Sequence, residues 1–152
     1  MNREIKFRGK SKQGKWVYGS LIIAKHNGNP ISFIYTPQYD ITELHECSTD
    51  GDVKVLLESQ VVPVLTDTVG QDTGLKDKNG KEIYEGDVVG WRYLNLWQRN
   101  EVEWVRGGFV SIMTAFKDDL NEMQSLSLIS RLDCEVIGNI YEHPELLKET
   151  SQ

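Results

Sequence analysis

Between Thr68 and Gly90 the chain reads TVGQDTGLKDKNGKEIYEGDVVG, and this stretch constrains the fold more than any other. Five glycines alternate with charged residues, and no apolar run begins before Val88. Helix is disfavoured there, since each glycine costs a helix about 1 kcal/mol relative to alanine, and turns are favoured. The stretch is expected to be a connector between β elements, with the remaining chain arranged on either side of it.

On its N-terminal side, Ile5 and Phe7 alternate with Lys6 and Arg8, the period-two pattern of a half-buried strand with its basic side chains in water. A turn over Ser11 to Gly14 leads into a second strand, Lys15 to Ile23, with Trp16 and Tyr18 on one side and Val17 on the other. His26 to Pro30 form a second turn cluster. Ile31 to Tyr35 follow as a strand stopped by Pro37, and Val61 to Leu65, interrupted by Pro63, as an edge strand. Between these, Thr49 to Asp52 suggest a turn and Val53 to Leu57 a strand or short buried helix.

On the C-terminal side, Asp87 to Tyr93 and Glu101 to Arg106 read as strands around a loop at Asn95 to Asn100. Gly107 and Gly108 are expected to supply positive φ angles for a tight turn, with Phe109 to Phe116 running back. Lys117 to Gln124 reads as turn or a single helical turn. Cys134 to Tyr141 alternates again, with Val136 and Ile140 on one face and Ile137 and Tyr141 on the other. Pro144 to Glu149 suit a short helix, because proline is tolerated at the first helical position. The expected fold is mainly β: a small barrel-like or intertwined β-meander with a short C-terminal helix. It is read as one domain over residues 1–149, with an N-terminal β unit (1–65), a C-terminal β unit (66–142) and the helix (144–149).

The nine residues from Lys10 to Tyr18, KSKQGKWVY, return as KDKNGKEIY from Lys76 to Tyr84. Reuse of favourable hairpin chemistry explains this most simply; a duplication is the alternative. Duplication requires the two hairpins to superpose with Tyr18 and Tyr84 equivalent.

A composition of 39% hydrophobic and 26% charged residues is that of a folded domain rather than a disordered chain. The net charge of −6 argues against binding nucleic acid over the whole surface. Residues 1–20, however, hold Arg3, Lys6, Arg8, Lys10, Lys12 and Lys15 against Glu4 alone, a basic end on an acidic body. Cys47 and Cys134 have no ligand or disulfide spacing and read as reduced thiols. No apolar run approaches a membrane span, so neither a membrane nor a leader is expected and a cytoplasmic location follows.

Candidate chemistry is sparse. Gly70, Gly74 and Lys76 lack P-loop spacing, and Asp77, Asn79 and Gly80 imitate only part of an EF-hand loop. Asp67, Asp72, Asp77, Glu82, Glu85 and Asp87 could gather around a divalent cation, but polar turns carry such residues anyway. Asp87, between Gly86 and an apolar strand, is expected to accept backbone N–H bonds and fix a turn. His26, His45 and His143 have no partner at ligand spacing. No catalytic residue, metal or cofactor is assigned. Trp97, beside Arg99 in NLWQRN, is the expected exposed aromatic anchor.

The run Thr68 to Gln71 and Thr73 to Val88 resembles the signature of the phage-encoded YopX family. The first hairpin, Arg3 to Arg8 with Gly14 to Gly19, and the end, Glu135 to Tyr141 with Pro144 to Leu147, resemble it too. The resemblance implies a bacteriophage or prophage protein of largely β fold acting in the host bacterial cytoplasm, and it brings no catalytic residues. Gly70, Gly74, Asn79, Gly80, Tyr84, Gly86 and Asp87 form its structural motif here. The leading functional expectation is a non-enzymatic module that binds itself, as a homo-oligomer, or a phage or host protein through exposed aromatics and strand edges. The alternative is a nucleic-acid-binding module using Arg3, Lys6, Arg8, Lys10, Lys12 and Lys15, with Trp97 and Arg99 as further contacts. A metal-dependent enzyme built on the central carboxylates is the weakest reading, since no nucleophile, base and orienting group occur together.

Overall fold

Alternating apolar residues punctuated by glycine turns give short strands, and the computed structural model is mainly β. It describes residues 5–36, 60–93, 96–105, 108–112, 124–125 and 133–148. The strands are β1 (Phe7–Lys10), β2 (Trp16–His26), β3 (Asn29–Tyr35), β4 (Val61–Val64), β5 (Gly70–Lys76), β6 (Glu82–Tyr84), β7 (Asp87–Tyr93), β8 (Leu96–Val105), β9 (Gly108–Ile112), β10 (Gln124–Ser125) and β11 (Glu135–Asn139). They form two antiparallel sheets, ordered β4-β3-β2-β1-β5-β6 and β10-β9-β8-β7-β11, neither closed into a barrel. The chain divides into two compact units, Met1–Gln71 and Asp72–Gln152, with the division inside β5.

In the first unit, consecutive strands pair in sequence order. β1 pairs with the first four residues of β2, Phe7 opposite Gly19 and Lys10 opposite Trp16. β3 pairs with the rest, Ser20 opposite Tyr35 and His26 opposite Asn29. The turn between them is two residues, because Asn27 (φ 50°) and Gly28 (φ 81°) are both left-handed, the geometry that matches strand twist. The expected His26–Pro30 turn cluster therefore shrinks to Asn27-Gly28, and Pro30 lies within β3 opposite Lys25. β4 is an edge strand, which tolerates Pro63. Its end bridges back to Ser11, and Val64 sits where a Cβ on Gly9 would be, 2.7 Å from Val64 Cγ2. Ile34, Ser32 and Val64 are buried in this unit. Lys10 N–H donates to Thr68 Oγ1 and Leu65 N–H to Lys10 O, both at 2.8 Å, so a single turn of 3-10 helix at Thr66–Thr68 is tied to the end of β1.

The second unit is built on β7, where Val88 and Val89 are fully buried. Ile83, Val89, Trp91, Val102, Cys134 and Val136 make its core, with Leu75 and Phe109 packed against it. β8 pairs with β7 from Glu101 opposite Val88 to Leu96 opposite Tyr93. Leu96 to Asn100 are therefore strand rather than the expected loop: the β7 ladder holds a polar sequence extended. Gly108 pairs with Val105 as the start of β9. In β11 the register shifts between Val136 and Gly138, so the simple alternation expected from Cys134 to Tyr141 breaks at a bulge. The C-terminal helix is one turn of 3-10 helix, Pro144–Leu147, with proline at its start. The expectations for Tyr39–Leu57, including His45 and Cys47, for Gly107, for Met113–Phe116 and for most of Lys117–Ser130 lie outside the described residues, as does Arg3.

Candidate functional site

The repeated nine-residue motif folds into the same turn twice. In the first copy Ser11 N–H donates to Lys15 O (2.8 Å) and Gly14 N–H to Ser11 O (2.9 Å). In the second, Asp77 N–H donates to Lys81 O (2.9 Å) and Gly80 N–H to Asp77 O (2.9 Å). Gly14 (φ 80°) and Gly80 (φ 81°) take the left-handed position of a three-residue hairpin loop. The likeness ends there. Tyr18 stands opposite Arg8 with a simple register, whereas Tyr84 stands opposite Asp72 across an irregularity between Asp72 and Lys76, at Gly74 (φ 72°). Tyr18 is exposed and Tyr84 buried. Hairpins of different register with tyrosines in unlike environments favour reuse of the turn over duplication.

The second turn does more than reverse the chain. Asp77 Oδ1 accepts N–H bonds from Asn79 (2.8 Å) and Lys81 (2.9 Å), and its Oδ2 accepts one from Val136 (3.1 Å). Lys78 N–H donates to Cys134 O at 2.9 Å, and Lys78 Nζ pairs with Glu135 Oε2 at 2.6 Å. The KDKNGK turn is thus fastened to β11. Burial pushes the Asp77 carboxyl up, but the N–H bonds from Val136, Lys81 and Asn79, with the Lys81 charge, outweigh it and hold the group below the usual aspartate range. Burial, with Asp77 nearby, pushes the Cys134 thiol up, so it stays protonated.

The central carboxylates are engaged separately. Asp72 Oδ1 accepts the Gly74 N–H at 2.8 Å, and Asp87 Oδ2 accepts the Tyr84 N–H at 2.8 Å inside the Tyr84–Asp87 turn. Glu82 accepts the Tyr84 hydroxyl at 2.8 Å. Gly86 is the pivot of that turn: its N–H donates to Val102 O and its carbonyl accepts from Ile140 N–H. Among the described residues, no three His, Cys, Asp or Glu side chains are grouped to hold a metal ion.

Among the described residues of the first unit, two exposed patches stand out. On the β1–β2 hairpin, the Arg8 guanidinium carbon stands 4.7 Å from the centre of the Trp16 ring and Lys10 Nζ 5.9 Å from it. Arg8 is only 5% exposed, so it braces Trp16 from within the sheet, while Tyr18 opposite it is 49% exposed. Lys12 and Lys15 are exposed in the turn, and Lys6 is half-buried.

The second patch is the outer half of the β2–β3 ribbon. Every residue from Ile22 to Pro30 is exposed, including Ile22 at 43% and Ile23 at 63%. Neighbouring strand residues point to opposite faces, so both faces of the ribbon present an isoleucine. Sequence reading placed no site here. The signal was Asn27-Gly28 between long β-branched runs.

In the second unit, Trp97 is 45% exposed but belongs to β8, with its ring lying where a side chain on Gly90 would go. Arg99 stands opposite Gly90 and is exposed. Trp104, 51% exposed, meets Phe109 edge to face at 4.7 Å.

A family model described as YopX protein matches residues 6–148. Among solved structures, the crystal structure of protein EF1440 from Enterococcus faecalis is similar, at 24% identity over 97% of this chain and 100% of that chain, with a TM-score of 0.47. No curated protein matches the chain.

Proposed function

Since the chain belongs to the YopX family, we propose that it works as the non-enzymatic interaction module expected of its sequence, self-associating through the outer half of the β2–β3 ribbon. The observation that carries this reading is the pair Ile22 and Ile23, exposed on opposite faces of a two-stranded element. A lone two-stranded ribbon is marginal in water, and no single layer can cover both of its faces. Among the described residues, Ser20 to His26 pair only with β3, which leaves one backbone edge of β2 to accept another strand.

A second copy fits that edge. Antiparallel pairing of two β2 strands about Ile23 sets Ile22 against Ala24 and Lys25 against Leu21, with no like charges opposed. A phage or prophage origin and a place in the host bacterial cytoplasm belong to the same proposal, supported by the resemblance of the central motif. Among the described residues, no helix is long and apolar enough to cross a membrane.

Light scattering across a concentration series tests the proposal. The wild type is expected to associate at tens of micromolar, and Ile23→Asp to be a monomer with an unchanged β spectrum. A wild type that stays monomeric, or an Ile23→Asp variant that still associates, would contradict self-association through the ribbon.

A further inference from the structure

We infer that the β1–β2 hairpin of the first unit is a binding site for single-stranded nucleic acid, distinct from the self-association edge. The argument begins with charge. The described residues of this unit contain Lys6, Arg8, Lys10, Lys12, Lys15 and Lys25, and Asp67 is the one acid among them. The other acids of the unit fall in residues 1–4 and 37–59, outside the described residues. Over residues 1–71 eight bases and eight acids cancel, but residues 5–19 hold Lys6, Arg8, Lys10, Lys12 and Lys15 with no acid, so positive charge is concentrated on the hairpin itself.

Charge alone would fit any polyanion; the aromatic geometry narrows it. Arg8 and Lys10 stand over the Trp16 ring at 4.7 and 5.9 Å, a cation–π arrangement that fixes the indole in the sheet. Tyr18, two residues along the same strand and half exposed, offers a ring at the edge of this cluster. Lys12 and Lys15 stand exposed in the turn that joins β1 to β2, on the same hairpin and at least three residues from Tyr18 along the chain. An exposed aromatic on a basic hairpin fits an unstacked base whose neighbouring phosphates reach the hairpin's lysines. A duplex keeps its bases stacked and cannot use the ring. Arg8, read from sequence as a phosphate contact, acts instead as the brace that positions Trp16.

Fluorescence anisotropy of a labelled oligothymidylate, titrated with the full chain at increasing salt, tests this. The expected result is binding at low salt that weakens with a log–log slope of about −2 to −3, as for three or four phosphate contacts to a single strand. Lys12→Glu combined with Lys15→Glu is expected to weaken binding about tenfold or more and to flatten that slope. Tyr18→Ala is expected to weaken it roughly 5- to 100-fold with the slope unchanged, as loss of one stacked base does. All three positions are exposed, so unchanged circular dichroism separates lost binding from lost folding. Ile23→Asp is expected to leave binding intact, which keeps this test independent of self-association. No binding at low salt, indifference to Tyr18→Ala, or equal binding of duplex DNA or polyglutamate would overturn the inference.

Discussion

At the scale of single residues, Asp77 holds more of the second unit together than its place in a polar turn suggests. One carboxylate accepts three backbone N–H groups, one of them 59 residues away in sequence on β11. Asp77→Asn can keep Oδ1 as an acceptor but sets an NH2 group against the Val136 N–H. The expected cost is about 1–3 kcal/mol, measured by urea unfolding at neutral pH. The pH dependence follows from the sign of the shift. The folded carboxyl is held below its unfolded value, so its stabilisation is complete above the ordinary aspartate pKa and is lost as pH falls through the folded value. The gap between wild type and Asp77→Asn is therefore expected to narrow on acidification. A constant gap would mean that the charge is not what matters. Gly86 tests packing in the same way. Its φ of 79° strains any Cβ, and an alanine there would approach Tyr141 Cε2 to 3.0 Å, whereas at Gly80, with φ 81°, the space is open. Gly86→Ala is expected to cost about 2 kcal/mol and Gly80→Ala about 1, both read from chemical denaturation.

At the scale of elements, what could be read from sequence depended on whether local chemistry or distant pairing decided the conformation. β7 matches its expected bounds because DVVGWRY is strongly β-forming and bounded by a glycine turn. The hairpin turn at Ser11–Gly14 was legible for the same reason. Leu96 to Asn100 was not: NLWQRN has the composition of a loop, and only the β7 ladder makes it strand. The β11 bulge was hidden because alternation in the sequence carries no record of a register shift against a partner. The fastening of Asp77 to Val136 was equally invisible, since it joins residues that no spacing rule relates. The ribbon offers a prediction at this scale. Gly28 has φ 81° with open space around it, so Gly28→Ala adds only backbone strain of about 1–2 kcal/mol. That strain falls on an element with little packing of its own. The variant is expected to weaken self-association in light scattering while leaving the thermal unfolding of the second unit nearly unchanged.

At the scale of the molecule, the two compact units differ in what they contain. The second holds the six-residue apolar core and most of the family motif, with its carboxylates occupied by backbone N–H groups. The first presents the exposed ribbon and the basic aromatic hairpin. Sequence reading took the glycine-rich centre as a connector between β elements, and the left-handed glycines Gly74, Gly80 and Gly86 are turn and irregularity positions there. The most direct test of the account is amide hydrogen exchange of the wild type at sub-micromolar and at tens-of-micromolar concentration. The account predicts that the amides of Ser20 to Ile31 become more protected at the higher concentration while those of β7 stay the same. Protection of the ribbon that does not change with concentration would contradict it.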